Sequence, residues 1–518
     1  MTEKVYKISG IKIPEINFGK IEYIEDEGDN VAVVSITDVC ENDYCDYISS
    51  IKKEGFLLNN SNKIWQNTFE IYTSNEDALY TCFYPQSCEM RIVCEKNSAY
   101  LTYSDSPKDK ECEILVTQIA LETFGMSYVI RLTDGRFIII DGGRELEPDA
   151  DKIMRCLKKQ SIDENIVIAA WIMTHAHEDH YPCFMIFMEK YRELVEIQKF
   201  IYNFPKYDEN ATWFVKALEK EIPLMKRMFK EIETLGVPVY KAHTGQIYKF
   251  KDVTFEVLSS TDDTFMTDKS TLNSTSIVTK MYAKGQTILW TADLEFDYTR
   301  FVERWREHLK SDLLQVPHHG FVGGTEEGYE YIRPSVCLAP IGREYCYELI
   351  DIFMKPTLYL MRMECVDEFY EGGEEVTVPV PYVSSPYKHK FIEEKIKEGH
   401  DTNGAKTWIF GNLNTSNPDD FKFTAVNTSI SGTAEVYVHL KFEDPSYNIR
   451  SIKINVPTGR ITKFDLTNSD DVEHDVPYYN PVSFAKMGLP ENKEFVAQFK
   501  SSAPIVIYKK DNQPIYYK

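Results

Sequence analysis

The sequence predicts an α+β protein in three parts. These are a small α+β module over residues 1–110, a central domain of alternating strands and helices over 111–385 and, after a linker at 386–405, a β-rich, sandwich-like domain over 406–518. Three observations carry this reading. A chain of 518 residues is too long for one ordinary core. The apolar period changes along it, from short strands, to strands interleaved with helical spacing, and back to strands. Five of the eleven histidines fall in two short motifs of the middle part.

Taken in order, residues 31–36 and 90–94 read as apolar strands around a helix at 46–54, and this module carries no cluster of metal-ligand residues. The polar run Asp105-Ser106-Pro107-Lys108-Asp109-Lys110 breaks the chain. Helical apolar spacing then marks 149–160, 182–195, 210–235 and 294–309, with Pro182 suited to a first turn. Strands are expected at 166–173 and 247–257. A charged helical connector at 391–398 and a Gly-containing stretch at 400–404 follow, and 434–442, 449–456 and 504–509 then read as strands.

Directly after the apolar run 166–173 comes Thr174-His175-Ala176-His177-Glu178-Asp179-His180. Imidazole nitrogen and carboxylate oxygen are the donors that Zn, Mn and Fe accept, and a strand ending in a loop holds His175 and His177 on one side, with Asp179 and His180 on a second. Two later apolar runs end in matching groups: 288–292 delivers Asp293, and 313–317 delivers His318-His319-Gly320. A lone Asp at a strand end is more often a cap or turn residue. Beside the other two motifs, Asp293 reads as a ligand.

These segments resemble the metallo-β-lactamase superfamily, and within it the hydrolase domain of bacterial competence (DNA-uptake) channel proteins. The resemblance covers about residues 112–385. It includes residues 125–130 and 137–143 as an opening hairpin with an Asp-Gly-Gly turn, Asn273-Ser274-Thr275-Ser276 as an Asn-x-x-Ser strand, and the His-His-Gly segment. It implies an αββα sandwich with metals at the mouth of two facing sheets, and two divalent ions, Zn first and Mn or Fe as alternatives. His175 and His177 are expected on one ion, Asp179 and His180 on the other, and Asp293 between them. In an extended segment neighbouring side chains point to opposite sides. The expectation is therefore that His318 is the ligand and His319 the group that contacts substrate or steadies a developing oxyanion. Asp179 and His319 are the expected catalytic residues.

The chain departs from the family where Tyr181-Pro182 replaces a glycine pair and Ala292 replaces the glycine before Asp293, so side chains occupy space that glycine leaves open. His243, midway between the motifs, reads as a turn residue ahead of a strand and not as a third ligand of the first metal.

The expected chemistry is hydrolysis, by hydroxide generated at two metals, of a phosphodiester or another phosphorylated small molecule. The alternative is a scaffold or sensor that binds a protein partner around a structural metal, and plugging of the site by Tyr181 or Phe321 would favour it. A flavo-diiron oxidoreductase is disfavoured, because no flavodoxin-like domain is recognised. The net charge of −23 argues against an extended nucleic-acid groove. Scattered cysteines such as Cys156, Cys183 and Cys337 fit free buried thiols in a reducing compartment, and Cys40 and Cys45 lack a second pair to complete a zinc site. With no long apolar run, a soluble cytoplasmic protein with no membrane partner is the expectation.

Overall fold

The structure is a computed structural model describing residues 5–8, 11–28, 31–97, 103–205, 221–264, 271–321, 323–340, 355–363, 365–366, 368–370, 375–383, 407–427, 432–444, 447, 449–457, 461–467, 490–501, 505–509 and 515–517. The chain divides into two compact units, residues 1–343 with 370–382, and residues 344–369 with 383–518. The polar break near residue 110 thus lies inside the first unit. The connector at 391–398, the stretch at 400–404 and the first part of the 210–235 helix lie outside the described residues.

Two sheets face each other in the middle of the first unit. One orders Val239–Lys241, Phe200–Tyr202, Ile166–Ile172, Phe137–Asp141, Ser127–Arg131, Ile114–Gln118 and Val376–Val380. Ile166–Ile172 runs parallel to both neighbours and is buried at every position, as a strand covered on both faces must be. Alternation sorts the side chains of Phe137–Asp141. Ile138 and Ile140 join the core between the sheets, while Phe137 and Ile139 face helices Glu147–Gln160, Cys183–Tyr191 and Glu221–Leu235. The second sheet orders Ile247–Phe250, Val253–Ser259, Val278–Ala283, Gln286–Trp290, Leu313–Gln315 and Val336–Leu338. Its strands Gln286–Trp290, Leu313–Gln315 and Val336–Leu338 run parallel, with short helices Phe301–Trp305 and Glu326–Ile332 in the crossovers. This is the αββα arrangement, and it leaves the strand ends at one mouth.

Three expected elements differ. Residues 247–257 form a hairpin turning at Lys251, which takes the left-handed backbone (φ 51°). Residues 294–309 do not form one helix but a 3₁₀ turn, a five-residue helix and a second 3₁₀ turn, broken at Arg306 (φ 39°). Asn273 stands on a 3₁₀ turn, Leu272–Thr275, ahead of its strand and not in it.

The N-terminal module is a six-stranded sheet ordered Lys20–Gly28, Val31–Thr37, Glu89–Lys96, Asp77–Tyr84, Asn67–Thr73 and Leu57–Ile64. Helix Glu41–Lys53 buries Tyr44, Tyr47, Ile48 and Ile51, spaced to form one stripe, against one face. It starts earlier than the 46–54 pattern, with acidic residues in its first turn and lysines in its last. Cys40 and Cys45 lie at its exposed start. The other face packs on the central sandwich. Glu89, Arg91 and Glu95 alternate along one strand and are all buried there.

The second unit, taken by itself, holds helix Lys355–Arg362 and two sheets. One orders Ile449–Pro457, Thr433–Phe442, Glu494–Ser501, Thr407–Asn414 and Ile515–Tyr517, and the other Ile461–Asp465, Lys422–Asn427 and Ile505–Tyr508. Phe410 and Phe499 of the larger sheet meet Phe423 of the smaller at ring distances of 5.1 and 4.8 Å. Among the described residues, no helix is long and apolar enough to cross a membrane.

Candidate metal centre

The buried strand Ile166–Ile172 delivers its successor loop to the sheet mouth, where Asp141 catches it. Asp141 ends the adjacent strand in the left-handed backbone (φ 55°). Its carboxylate accepts from the Thr174 backbone N–H (2.8 Å) and the Thr174 hydroxyl (2.7 Å), and its Oδ2 lies 2.7 Å from His180 Nδ1. A buried imidazole whose Nδ1 is bound to a carboxylate presents Nε2 outward, as a metal-ligating histidine must. The Gly142 and Gly143 amides both donate to the His180 carbonyl, at 2.6 and 2.9 Å. The chain passes so close to Gly125 that a Cβ there would meet the Asp179 carbonyl at 2.7 Å.

Opposite, Gln315 fixes the loop that carries Asp293. Its buried amide accepts from the Thr291 and Ala292 N–H groups (2.9 and 2.6 Å) and donates to the Ala292 carbonyl (3.1 Å). Ala292 is held at φ 47°, a conformation glycine adopts more readily. Ser276 accepts from the Asp293 N–H at 3.2 Å.

Asp179, His180, Asp293 and His319 bring ligand atoms within 4.8 Å of one another, as do His175, His177 and Asp293, so Asp293 belongs to both groups. Asp293 Oδ2 lies 3.2 Å from both His180 Nε2 and His319 Nε2, and His319 Nε2 lies 3.3 Å from Asp179 Oδ2. His175 Nε2 and His177 Nδ1 stand 3.0 Å apart. Asp179 Oδ2, Asp293 Oδ1 and His319 Nε2 are buried and make no hydrogen bond. Buried polar atoms left in this way are costly unless another group satisfies them. Three converging donors of oxygen and nitrogen type are what a divalent transition metal requires.

Charge leads to the same reading. Burial lowers the pKa of His180, but Asp293, Asp179 and Asp141 outweigh it and hold the imidazole well above its ordinary value. His319, against the same burial, is pushed up to about 9 by Asp293 and Asp179. Both aspartates are held below the ordinary carboxylate value, the two histidines overcoming burial. The cluster therefore favours positive charge, which a divalent ion would supply in place of protons. His175 and His177 are held low by burial and stay neutral, as ligands must.

The two adjacent histidines sit the other way round from the sequence expectation. Neither is extended: His318 and His319 both take left-handed backbones (φ 47° and 55°), so alternation of side chains does not apply. His319 Nδ1 donates to the Pro340 carbonyl at 2.6 Å and turns Nε2 to the carboxylates. His318 stands at the rim, with Nε2 4.0 Å from Asp293 Oδ2 and 3.2 Å from the Asn273 amide. Tyr181 does not plug the site, because its ring is buried in the helix layer against Phe204. Phe321 stacks on Phe124, whose ring lies 4.1 Å from His319, and walls one side. His177 and His318 remain partly exposed on the other. His243 lies outside the cluster, between Asp262 (2.8 Å) and Glu95 (3.1 Å). Cys156, Cys183 and Cys337 are buried, as the sequence suggested.

The sequence alone assigned no role to Gln315, and marked Asp141 and Asn273 only as parts of motifs. The signal available for Asp141 was its place at the end of an apolar strand before two glycines.

Residues 121–333 match the family model of the metallo-beta-lactamase superfamily, and this central segment is a domain of that superfamily. Over 181 residues the chain is 29% identical to ComE operon protein 3 of Bacillus subtilis (strain 168), which places it with the competence-protein-like branch. That match spans 34% of this chain and only 20% of the relative's length. Among solved structures it is similar to the metallo-beta-lactamase fold protein YhfI from Bacillus subtilis, at 11% identity and TM-score 0.32, over 51% of this chain and 99% of that one. A provisionally named metal-dependent hydrolase from Parabacteroides distasonis ATCC 8503 aligns at 12% identity and TM-score 0.27, over 61% of this chain and 99% of that one.

Proposed function

We propose that the chain is a metal-dependent hydrolase whose centre holds two divalent ions, with Zn the first candidate and Mn or Fe the alternatives. The observation that carries this is the convergence of Asp179, Asp293 and His319 at the mouth of the sandwich, where Asp179 Oδ2, Asp293 Oδ1 and His319 Nε2 are buried and make no hydrogen bond. His175 and His177 would hold one ion, Asp179, His180 and His319 the other, with Asp293 shared. When bound, such ions acidify water and polarise a carbonyl or phosphoryl centre. Asp179 keeps one oxygen for the metal and orients the attacking water. Asp141 holds the imidazole of His180 in place. His318 and the Asn273 amide, on the partly exposed side, orient the substrate and receive charge that develops on it.

A phosphodiester or another phosphorylated small molecule is the preferred substrate class, favoured by the resemblance of the motifs and by the imidazole and amide donors of His318 and Asn273 at the rim. The acidic surface disfavours an extended nucleic-acid groove. The test is metal analysis of the purified protein combined with a screen of phosphodiester, lactone and ester substrates. About two ions per chain with turnover in one class supports the reading. A full metal complement with no turnover in any class supports instead a scaffold around a structural metal.

A further inference from the structure

Among its described residues the N-terminal module contributes no member of the metal-ligand clusters, yet its buried charges reach the turn that supports the open side of the centre. Glu89, Arg91 and Glu95 project from one face of strand Glu89–Lys96, and Tyr80, Cys82 and Tyr84 from the same face of Asp77–Tyr84. Opposite them lies the 3₁₀ turn Thr261–Asp263. Asp263 pairs with Arg91, accepts from the Tyr84 hydroxyl at 3.1 Å and from Arg304 at 3.1 Å, and is bonded by the Thr244 hydroxyl. Asp262 meets His243 at 2.8 Å, and His243 in turn meets Glu95 at 3.1 Å.

The other side of this turn meets the turn that carries Asn273. The Thr264 hydroxyl donates to the Ser274 carbonyl at 2.5 Å, and the Thr261 hydroxyl lies 3.5 Å from the Thr275 carbonyl. Those carbonyls belong to the turn Leu272–Thr275, which carries Asn273 to His318. The next residue, Ser276, accepts from the Asp293 N–H. From Arg91 to Asp293 the path consists of buried side chains and short backbone segments.

We infer that the N-terminal module is a positioning element of the metal centre: Arg91 and Tyr84 hold Asp263 so that the 261–264 turn sets Asn273 and Asp293. Asp263 is a positioning residue and touches neither metal nor substrate. The inference rests on the metal reading above.

The experiment uses the full chain, freed of metal and titrated calorimetrically with Zn²⁺ or Mn²⁺, with the visible spectrum of the Co²⁺-loaded form recorded alongside. Asp263→Asn keeps the shape of the side chain and removes its charge. Tyr84→Phe removes one hydroxyl and keeps the ring, so it tests the same support with little risk to folding. Asn62→Ala breaks a contact of the same interface, Asn62 to the Gly245 carbonyl at 2.9 Å, without touching the turn. Expected are a roughly tenfold weaker metal affinity and an altered Co²⁺ spectrum in Asp263→Asn, a smaller change of the same sign in Tyr84→Phe, and wild-type values in Asn62→Ala. If Asp263→Asn does not fold, Tyr84→Phe decides. Wild-type affinity and spectrum in the folded turn variants overturn this inference alone, and so does an equal loss in Asn62→Ala. Failure of the wild-type chain to bind either metal overturns the metal reading and this inference with it.

Discussion

Asp141 accepts the Thr174 amide and hydroxyl and holds His180 Nδ1, all within 2.8 Å, and is itself fully buried. In Asp141→Asn one oxygen still accepts the Thr174 amide, but an NH₂ group faces the Thr174 hydroxyl and His180 Nδ1. His180 loses the charged acceptor that fixes its tautomer, and a buried hydrogen bond to a charged group is worth about 1.5–3 kcal/mol. Outer partners of metal-bound histidines typically carry a factor of about 10–100 in metal affinity. Metal present at about 100 times the wild-type dissociation constant adds about 2.7 kcal/mol of stability, which falls to about 1.4 or about 0.4 kcal/mol when affinity drops tenfold or a hundredfold. Thermal unfolding with and without Zn²⁺, beside calorimetric titration, reads both quantities. A metal-induced shift in Asp141→Asn equal to that of the wild-type chain would refute the assignment of Asp141 as the support of a ligand.

Replacing His177 and Asp293 together by alanine is expected to abolish metal content measured by elemental analysis, and retention of wild-type content would rule out this site. Asp179→Asn, with metal content verified, is expected to lower turnover of an activated phosphodiester roughly hundredfold or more, and unchanged turnover would dismiss Asp179 as the group that orients water. His243 is raised above 6.5 because Asp262 and Glu95 outweigh its burial, and Glu95 is lowered to about 2, with His243 and Lys241 outweighing burial. The stability that His243 adds is therefore complete below its unfolded value of about 6.5 and is lost as pH rises through its raised folded value, while that of Glu95 is lost as pH falls from about 4.5 towards 2. The melting-temperature gap between the wild type and His243→Gln is expected to narrow as pH rises from about 6 to about 9, and a widening gap would contradict the pairing. A chain starting near residue 110 is expected to lose cooperative unfolding even with excess metal, because His243, Asp263 and Arg304 would lose the buried partners Glu95, Arg91 and Glu89; a sharp, metal-stabilised melt of that fragment would show otherwise.

The ligand loop was legible because its donors are neighbours in sequence and follow an unbroken apolar strand. Asp293 and the His318-His319 pair were legible for the same reason, as polar residues at the ends of apolar runs. The order within that pair was not, because both residues adopt a left-handed backbone that nothing in their identity requires. Asp141 could be placed in a turn but not assigned a task, since its partners Thr174 and His180 come from another strand end. The 294–309 segment has helical apolar spacing, yet Arg306 interrupts it where Trp305 turns inward to donate to the Leu258 carbonyl at 2.8 Å. Least legible was the N-terminal face. Glu89, Arg91 and Glu95 at every second position or multiple of it look like the wet side of a half-buried strand, and only the fold shows that they are covered.

That face also bears on how the chain is made. During synthesis the module emerges well before the residues that will cover it, His243, Asp263 and Arg304. Throughout that interval the waiting surface shows carboxylates and a guanidinium set among aromatic rings. A purely greasy face would stick to other nascent chains, and buried strands left open in this way are the usual origin of aggregates. The charges make the waiting face less apolar than a bare strand face, and the same residues later set the final interface.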